Sequence, residues 1–206
     1  TLARCGIRRF TLVDPDQVSA TNPTTQGHDM PSLGLAKVDA LARRVAIVNP
    51  EAEISVYPTT YEELSAAELA AVWSADLVLA MTDAFETQAW INTHALATGT
   101  DAVFAICYPG TQGVEITATF ADTVAAGNGC HRCHTKPRYD AYGAGFINPS
   151  VIPSHALAAE YLNALIALIV VARLHQRAAS PLAITRIAER FAAAPCLISR
   201  LDPAFY

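Results

Sequence analysis

The chain has 206 residues, 52% of them hydrophobic and 16% charged, with a formal net charge of −5. This excludes a disordered chain, whose signature is the reverse, and the acidic balance argues against a nucleic-acid module. Five cysteines, an odd number scattered along a chain of one-domain length, make a poor disulfide framework and suit a reducing cytoplasm.

Leu2 to Gly6 reads as the last turn of a helix closed by a glycine, so the chain is expected to continue a longer protein; residues 1–9 carry no secretory apolar region. Residues 9–14 predict a short apolar strand stopping at Asp14 and Asp16 around Pro15. A loop rich in Thr, Pro, Gly and Asn follows over residues 19–31. Ser32 is then placed as N-cap of a helix carrying Leu33, Val38, Leu41, Val45 and Val48 and stopped by Asn49-Pro50. Residues 53–57 alternate and predict a strand, and residues 65–75 predict a helix capped by Ser65. Residues 76–81 are a continuous apolar run of the kind found in buried parallel strands, tipped by Thr82-Asp83. Residues 85–97 predict a helix closed by Gly99, residues 101–106 a buried strand, and residues 112–120 an antiparallel or edge strand. Residues 131–153 are turn-rich and expected to be mobile. In the apolar segment 155–174 the run 161–172, broken only by Asn163, is shorter than the ~20 residues of a spanning helix. A core or interface helix is therefore expected, and no membrane partner. Residues 182–187 and 197–201 close the chain as possible strands.

Strand–helix alternation with apolar strands predicts an α/β fold: a Rossmann-like, mainly parallel sheet flanked by helices, with antiparallel strands in the C-terminal half. In such sheets the ligand crevice lies beyond the carboxyl ends of the strands, where Asp14 and Asp83 fall. An aspartate after a strand grips a ribose hydroxyl in this fold, or simply caps the following turn.

The stretch Leu12-Val13-Asp14-Pro15-Asp16-Gln17-Val18, then Asn22 and Gln26, Gly34-x-x-Lys37, Asn49-Pro50 and Met81-Thr82-Asp83 resembles the ThiF/MoeB/HesA family. These are bacterial relatives of ubiquitin-activating enzymes. Asn92, the Cys130-His131-Arg132-Cys133 knuckle and the small, apolar helix after Pro153 also fit. The resemblance implies one adenylation domain over residues 1–206, preceded by a glycine-rich segment, with 176–206 as an extension. It implies an ATP-dependent adenylyltransferase acting with Mg²⁺ on the C-terminal carboxylate of a small ubiquitin-fold protein or peptide, in a homodimer. Asp14 and Asp16 would serve the ribose end of the nucleotide, Asn22 and Gln26 would line its loop, Lys37 would neutralise phosphate charge, and Asp83 would hold Mg²⁺ at the α-phosphate. Cations and positioning supply most of such catalysis.

Four positions depart from the family pattern: Thr25 replaces an arginine, Ser32 an aspartate, Ala84 an asparagine and Gln88 an arginine. Arg8, Arg9 or a partner's arginine are the candidate substitutes for the lost phosphate contact; otherwise the chain is a degenerate partner subunit. An NAD(P) oxidoreductase is a remoter reading, resting on Asp14 alone. Cys130-x-x-Cys133 has zinc-knuckle spacing, with His131, His134 or Cys196 to complete the ligands; a vestigial knuckle and a redox pair stay open. Cys107 reads as a core thiol. Residues 134–153 contain no cysteine, so adenylation without a resident thioester is expected. The helical spacing of Ala158, Leu162, Leu165, Ile169 and Ala172 marks a candidate dimer face.

Overall fold

A computed structural model describes residues 1–108, 110, 112–145 and 155–201. A 3₁₀ turn, Leu2–Cys5, ends at Gly6. It is followed by β1 (Arg9–Val13), α1 (Asn22–Thr25), α2 (Lys37–Val48), β2 (Glu53–Tyr57), α3 (Ala66–Trp73), β3 (Leu77–Ala80) and α4 (Phe85–Thr98). Then come β4 (Asp101–Cys107), β5 (Gly113–Thr119), α5 (Ala121–Ala125), α6 (His131–His134), α7 (Lys136–Gly143), α8 (Ala156–Arg177), α9 (Thr185–Ala193) and β6 (Cys196–Arg200).

Strands β1 and β2 form a parallel pair, and β3-β4-β5-β6 a second sheet in which β3 and β4 are parallel and the rest antiparallel. The architecture is the expected α/β fold with antiparallel strands late in the chain. Side chains alternate across a strand, so β4 feeds two cores. Val103 and Ala105 point to one face, where Val114, Ile116 and Ala118 of β5 meet Leu162, Ile166, Ile169 and Val170 of α8 and Phe191 of α9. Ala102 and Phe104 point to the other, against Val78, Ala80, Val72, Ile91 and Ala95. Burial on both faces is why β4 reads as an unbroken apolar run.

Several expectations are corrected. The helix placed from Ser32 begins at Lys37, because Gly34 turns the chain at φ +82° and the Ser32 hydroxyl is taken by Asp29. Of the two alternatives for residues 112–120, β5 is the antiparallel strand and not the edge: it lies between β4 and β6, and every residue in it is buried. Its polar positions Thr117 and Thr119 hydrogen-bond to His131 and Asn92 instead of water. Residues 182–187, read as a strand, run into α9, whose buried Ala188, Phe191 and Ala192 repeat at helical spacing. Within the described part of 176–206, α9 packs in the core and β6 extends the sheet. The turn-rich segment folds into α6 and α7; its last part, residues 146–153, lies outside the described residues. Ser65 does cap α3, in a box with Glu68.

Helix α8 is 22 residues long and by length and composition alone could cross a membrane. Its inner face, however, is built into the sheet, and it carries Arg173, ion-paired with the fully buried Asp101. Of the candidate dimer face, Ala158, Leu162, Ile169 and Ala172 are buried within the chain and Leu165 packs against the same core. That face is interior because the sheet covers it. The outer stripe of α8 instead exposes Leu157, Tyr161 and Leu168.

Candidate functional site

Both parallel pairs end on acidic tips. Asp14 follows β1, and its Oδ1 accepts the Asp16 backbone N–H at 2.9 Å, so it also closes its own turn. Asp16 then receives the first residue of α2 twice: the Lys37 N–H donates to its carbonyl at 2.8 Å, and Lys37 Nζ reaches Oδ2 at 2.8 Å. The Lys37 side chain is only 13% exposed. Below it the Gly34 N–H donates to the Val18 carbonyl at 2.9 Å and the Val18 N–H to the Leu35 carbonyl at 2.8 Å. The loop between Asp16 and Lys37 thus returns the chain to its starting point and seats an ammonium between the end of β1 and the start of a helix.

His28 lies beside this group. Burial first, then Lys37 and Arg44, hold its pKa below the ordinary value, with Asp14 and Asp29 opposing. Its Nδ1 is buried and has no hydrogen-bond partner among the described residues. Arg44, on the Lys37 helix, donates to the Gly27 carbonyl. Asn22 is buried and its Oδ1 accepts the Ser19 N–H at 2.8 Å, so that oxygen serves its own loop; Gln26 is exposed at the end of α1. The Thr25 hydroxyl donates to the Thr21 carbonyl. Neither candidate cation near the N-terminus is available here. Arg8 pairs with Glu51 and Arg9 with Asp76, at the amino end of β1, opposite Asp14.

Asp83 follows β3 and is exposed; among the described residues it makes no hydrogen bond or ion pair. Among the described residues no hydrogen bond or ion pair joins it to the Asp14–Asp16–Lys37 group, and β1 and β3 are not hydrogen-bonded to each other. The two groups share the carboxyl edge of their sheets, not a bond. Asp83 faces α7 closely enough to help raise the Tyr142 pKa, after burial.

Sequence reasoning missed what surrounds Asp83. Gln88 is buried, donates to the Thr82 carbonyl at 2.6 Å and accepts from Arg138 at 3.1 Å. Arg138 also pairs with Glu115 of β5 at 3.1 Å, and Glu115 accepts the Tyr108 hydroxyl at 2.7 Å. Phe85 stacks on Tyr142 with ring centroids 4.2 Å apart, and Tyr139 donates to the Phe85 carbonyl. The uncharged Gln88 that departs from the family arginine therefore faces a guanidinium from another helix. The signal in the sequence was the Arg138-Tyr139 and Tyr142 spacing on one helical face.

His131, also missed as a core group, stacks on Phe104 at 4.0 Å; Nδ1 bonds Thr117 at 2.6 Å and Nε2 bonds Tyr139 at 3.0 Å. Burial, with Arg138 nearby, lowers its pKa to about 3. A histidine depressed in the folded state stays neutral there while the unfolded chain takes up a proton below its ordinary value near 6.5. Stability is then full above about pH 6.5 and falls by up to about 1.4 kcal/mol per pH unit as pH drops toward the folded value. Denaturant midpoints of the wild type are expected to decline between pH 6.5 and 4.5, and His131→Asn to flatten that decline. Parallel pH profiles for the two proteins would place the acid sensitivity elsewhere.

Among the described residues the knuckle is not completed to a metal site. Cys130 and Cys133 have their sulfurs 3.5 Å apart, but both His131 nitrogens are engaged. Among the described residues no three His, Cys, Asp or Glu side chains are grouped to hold a metal. Mg²⁺ makes a lighter demand, one or two carboxylates beside phosphate oxygens, and the unengaged Asp83 fits it. Burial raises the Cys107 thiol pKa, as for an unreactive core cysteine.

Relatives resemble parts of this chain. A tRNA threonylcarbamoyladenosine dehydratase of Bacillus subtilis is 43% identical over 63 residues, 30% of this chain and 25% of the relative. A ubiquitin-like modifier-activating enzyme 5 of Drosophila grimshawi is 34% identical over 101 residues, 44% of this chain and 25% of the relative. The chain thus spans about a quarter of the length of these curated relatives. Among solved structures, E. coli MccB with AMPCPP and MccA superposes with a TM-score of 0.65 at 20% identity, over 84% of this chain and 51% of that one. PaaA superposes with a TM-score of 0.63 at 12% identity, over 98% of this chain and 72% of that one. The ThiF family model matches residues 1–190, from before β1 into α9. Two parallel strands tipped by Asp14 and Asp83, with Lys37 at the helix start between them in sequence, are thus carried by a chain that belongs to the ThiF family.

Proposed function

We propose that this chain is the adenylation domain of an ATP-dependent adenylyltransferase that activates the C-terminal carboxylate of a peptide or small ubiquitin-fold protein. The observation that carries this reading is the placement of an ammonium, Lys37, beside the carboxyl end of β1 and of an unengaged carboxylate, Asp83, beyond the carboxyl end of β3. ThiF membership supports it. So does the likeness of fold to MccB, whose solved structures contain ATP and the MccA peptide.

In this reading Asp14 orients the ribose, and Lys37 exchanges its Asp16 partner for phosphate oxygens. Asp83 holds Mg²⁺, which when bound withdraws charge from the α-phosphate. The carboxylate of the substrate displaces pyrophosphate, and Lys37 offsets the repulsion between the two anions. A cytoplasmic homodimer belongs to the proposal, its interface drawn from the outer stripe of Leu157, Tyr161 and Leu168 and not from the buried face.

Losing one charge-assisted phosphate contact costs about 1.5–3 kcal/mol. Lys37→Ala is therefore expected to weaken ATP binding roughly tenfold to a hundredfold by calorimetry, with NAD⁺ binding more weakly than ATP in the wild type. Unchanged affinity would remove Lys37 from the site, and preferred NAD⁺ would overturn the reading. Pyrophosphate exchange assayed with peptide, ubiquitin-fold protein and tRNA in separate arms identifies the substrate class. A second reading, a degenerate partner subunit, is favoured by Thr25 and Gln88 having their polar atoms turned to neighbouring protein groups; absence of exchange in every arm would select it.

A further inference from the structure

We propose that Tyr139 is a positioning residue for Asp83: its hydroxyl ends a one-way chain of hydrogen bonds that runs from β5 to the backbone beside that carboxylate. The proposal rests on the reading of Asp83 as the Mg²⁺ ligand of an adenylation site. Asp83 makes no hydrogen bond or ion pair of its own among the described residues, so the backbone around it decides where its carboxylate stands. That backbone is the short link between β3 and α4, in which Met81, Asp83 and Ala84 are exposed. The link is tethered on both sides. Gln88 donates to the Thr82 carbonyl at 2.6 Å and is itself held by Arg138 at 3.1 Å, while Tyr139 donates to the Phe85 carbonyl at 3.1 Å. Arg138 and Tyr139 both belong to α7, so one helix grips the link before and after Asp83.

The protons of the chain can be placed one by one. The Phe85 carbonyl can only accept, so the single Tyr139 proton goes to it. Burial pushes the Tyr139 hydroxyl up to about 12, which keeps that proton in place. Toward His131 Nε2, 3.0 Å away, Tyr139 then offers only a lone pair, and in the neutral ring Nε2 carries the hydrogen. Nδ1 is left bare and accepts from the Thr117 hydroxyl at 2.6 Å. Thr119 fixes the same histidine by its backbone: its hydroxyl accepts the His131 N–H at 2.9 Å and donates to Asn92 at 2.6 Å. His131 is fully buried and stacked on Phe104, and β5 lies inside the sheet. Hydrogen bonds that all point one way polarise and strengthen one another. An exposed link thereby inherits the position of a buried strand.

Tyr139→Phe keeps the ring and deletes the tie. The readout is the gain in ATP affinity that Mn²⁺, standing in for Mg²⁺, gives over EDTA, measured by calorimetry on the intact protein and its variants. Tyr139→Phe is expected to cut that gain roughly fivefold while leaving ATP binding in EDTA within about twofold of wild type. In an Asp83→Asn background, where the gain is already lost, it should do nothing more. A merely structural Tyr139 would weaken ATP binding in EDTA as well, or cause the same loss in both backgrounds, and either result overturns the proposal. A full gain in Tyr139→Phe with Asp83→Asn still deficient overturns it while the adenylation reading stands. A full gain in Asp83→Asn, or none in the wild type, removes that reading and this inference with it. The wild type supplies a check that needs no variant: the ¹⁵N spectrum of His131 at neutral pH should show hydrogen on Nε2 and none on Nδ1. The reverse tautomer would break the chain and overturn the proposal.

Discussion

Asp83→Asn is expected to abolish pyrophosphate exchange into ATP, by a hundredfold or more, while leaving the fold intact. The substitution keeps the shape and removes the charge. The side chain is exposed and makes no bond or ion pair with described residues, so its loss costs little stability. A carboxylate left unengaged at the carboxyl tip of an apolar strand contributes little to folding, whereas near a triphosphate a divalent cation must stand between it and the phosphates. Asp83→Ala should fail at least as badly. Thermal melts and far-UV spectra would confirm that the variants fold. If the wild type is active and Asp83→Asn equals it, the assigned role is wrong even though the family stands.

Arg173→Leu should be the most damaging single change to stability. The guanidinium is 3% exposed and donates to Asp101 at 2.7 and 3.2 Å and to Asp122 at 2.7 and 3.0 Å, lying over the Phe120 ring at 4.4 Å. Asp101 is fully buried, and among the described residues only Arg177 at 3.3 Å and the Ala121 N–H would remain to it. Removing one partner of a buried pair costs about 3–5 kcal/mol, which for a domain of this size lowers Tm by on the order of 10 °C. The double variant Arg173→Leu with Asp101→Asn should lose less than the sum of the singles, since the orphaned charge is gone. Asp122 adds an acid limb. The Arg173 hydrogen bond holds its pKa below 3.8, so its contribution is present above that value and is lost as pH falls through the lower one. At 64% side-chain exposure that contribution is small. An Arg173→Leu protein within about 1 kcal/mol of wild type would mean that water reaches Asp101.

Much of the frame was legible because it rests on local pattern. The apolar runs of β3 and β4 are buried parallel strands, Ser65 with Glu68 is a capping box, and Gly99 ends α4. What failed was decided by partners distant in sequence. His131 looked like a loop histidine because Thr117 and Tyr139, which satisfy its nitrogens, lie on other elements. Glu115 gave β5 the alternation of an exposed strand, yet Arg138 and Tyr108 neutralise it inside the protein. The Ala158 to Ala172 face was correctly apolar but was assigned to another copy, when β4, β5 and α9 cover it. Of the candidate site, the strand-end positions of Asp14 and Asp83 could be read from the sequence. The Asp16–Lys37 pairing needed the return of the loop, which no residue pattern shows.

The separation of β1–β2 from the four-stranded sheet has an energetic meaning for the proposed site. A two-stranded ribbon has little independent stability, whereas β4 sits between two cores and β5 packs into one of them. Local opening should therefore begin at the ribbon, taking Asp14, Asp16 and Lys37 with it while Asp83 stays anchored to the sturdier sheet. A nucleotide gripping both halves would tie the looser one to the firmer, and part of its binding energy would appear as slower hydrogen exchange in β1 and β2. Affinity at this edge would then be set partly by how often the ribbon is closed, and substitutions far from any phosphate could tune it through that population alone.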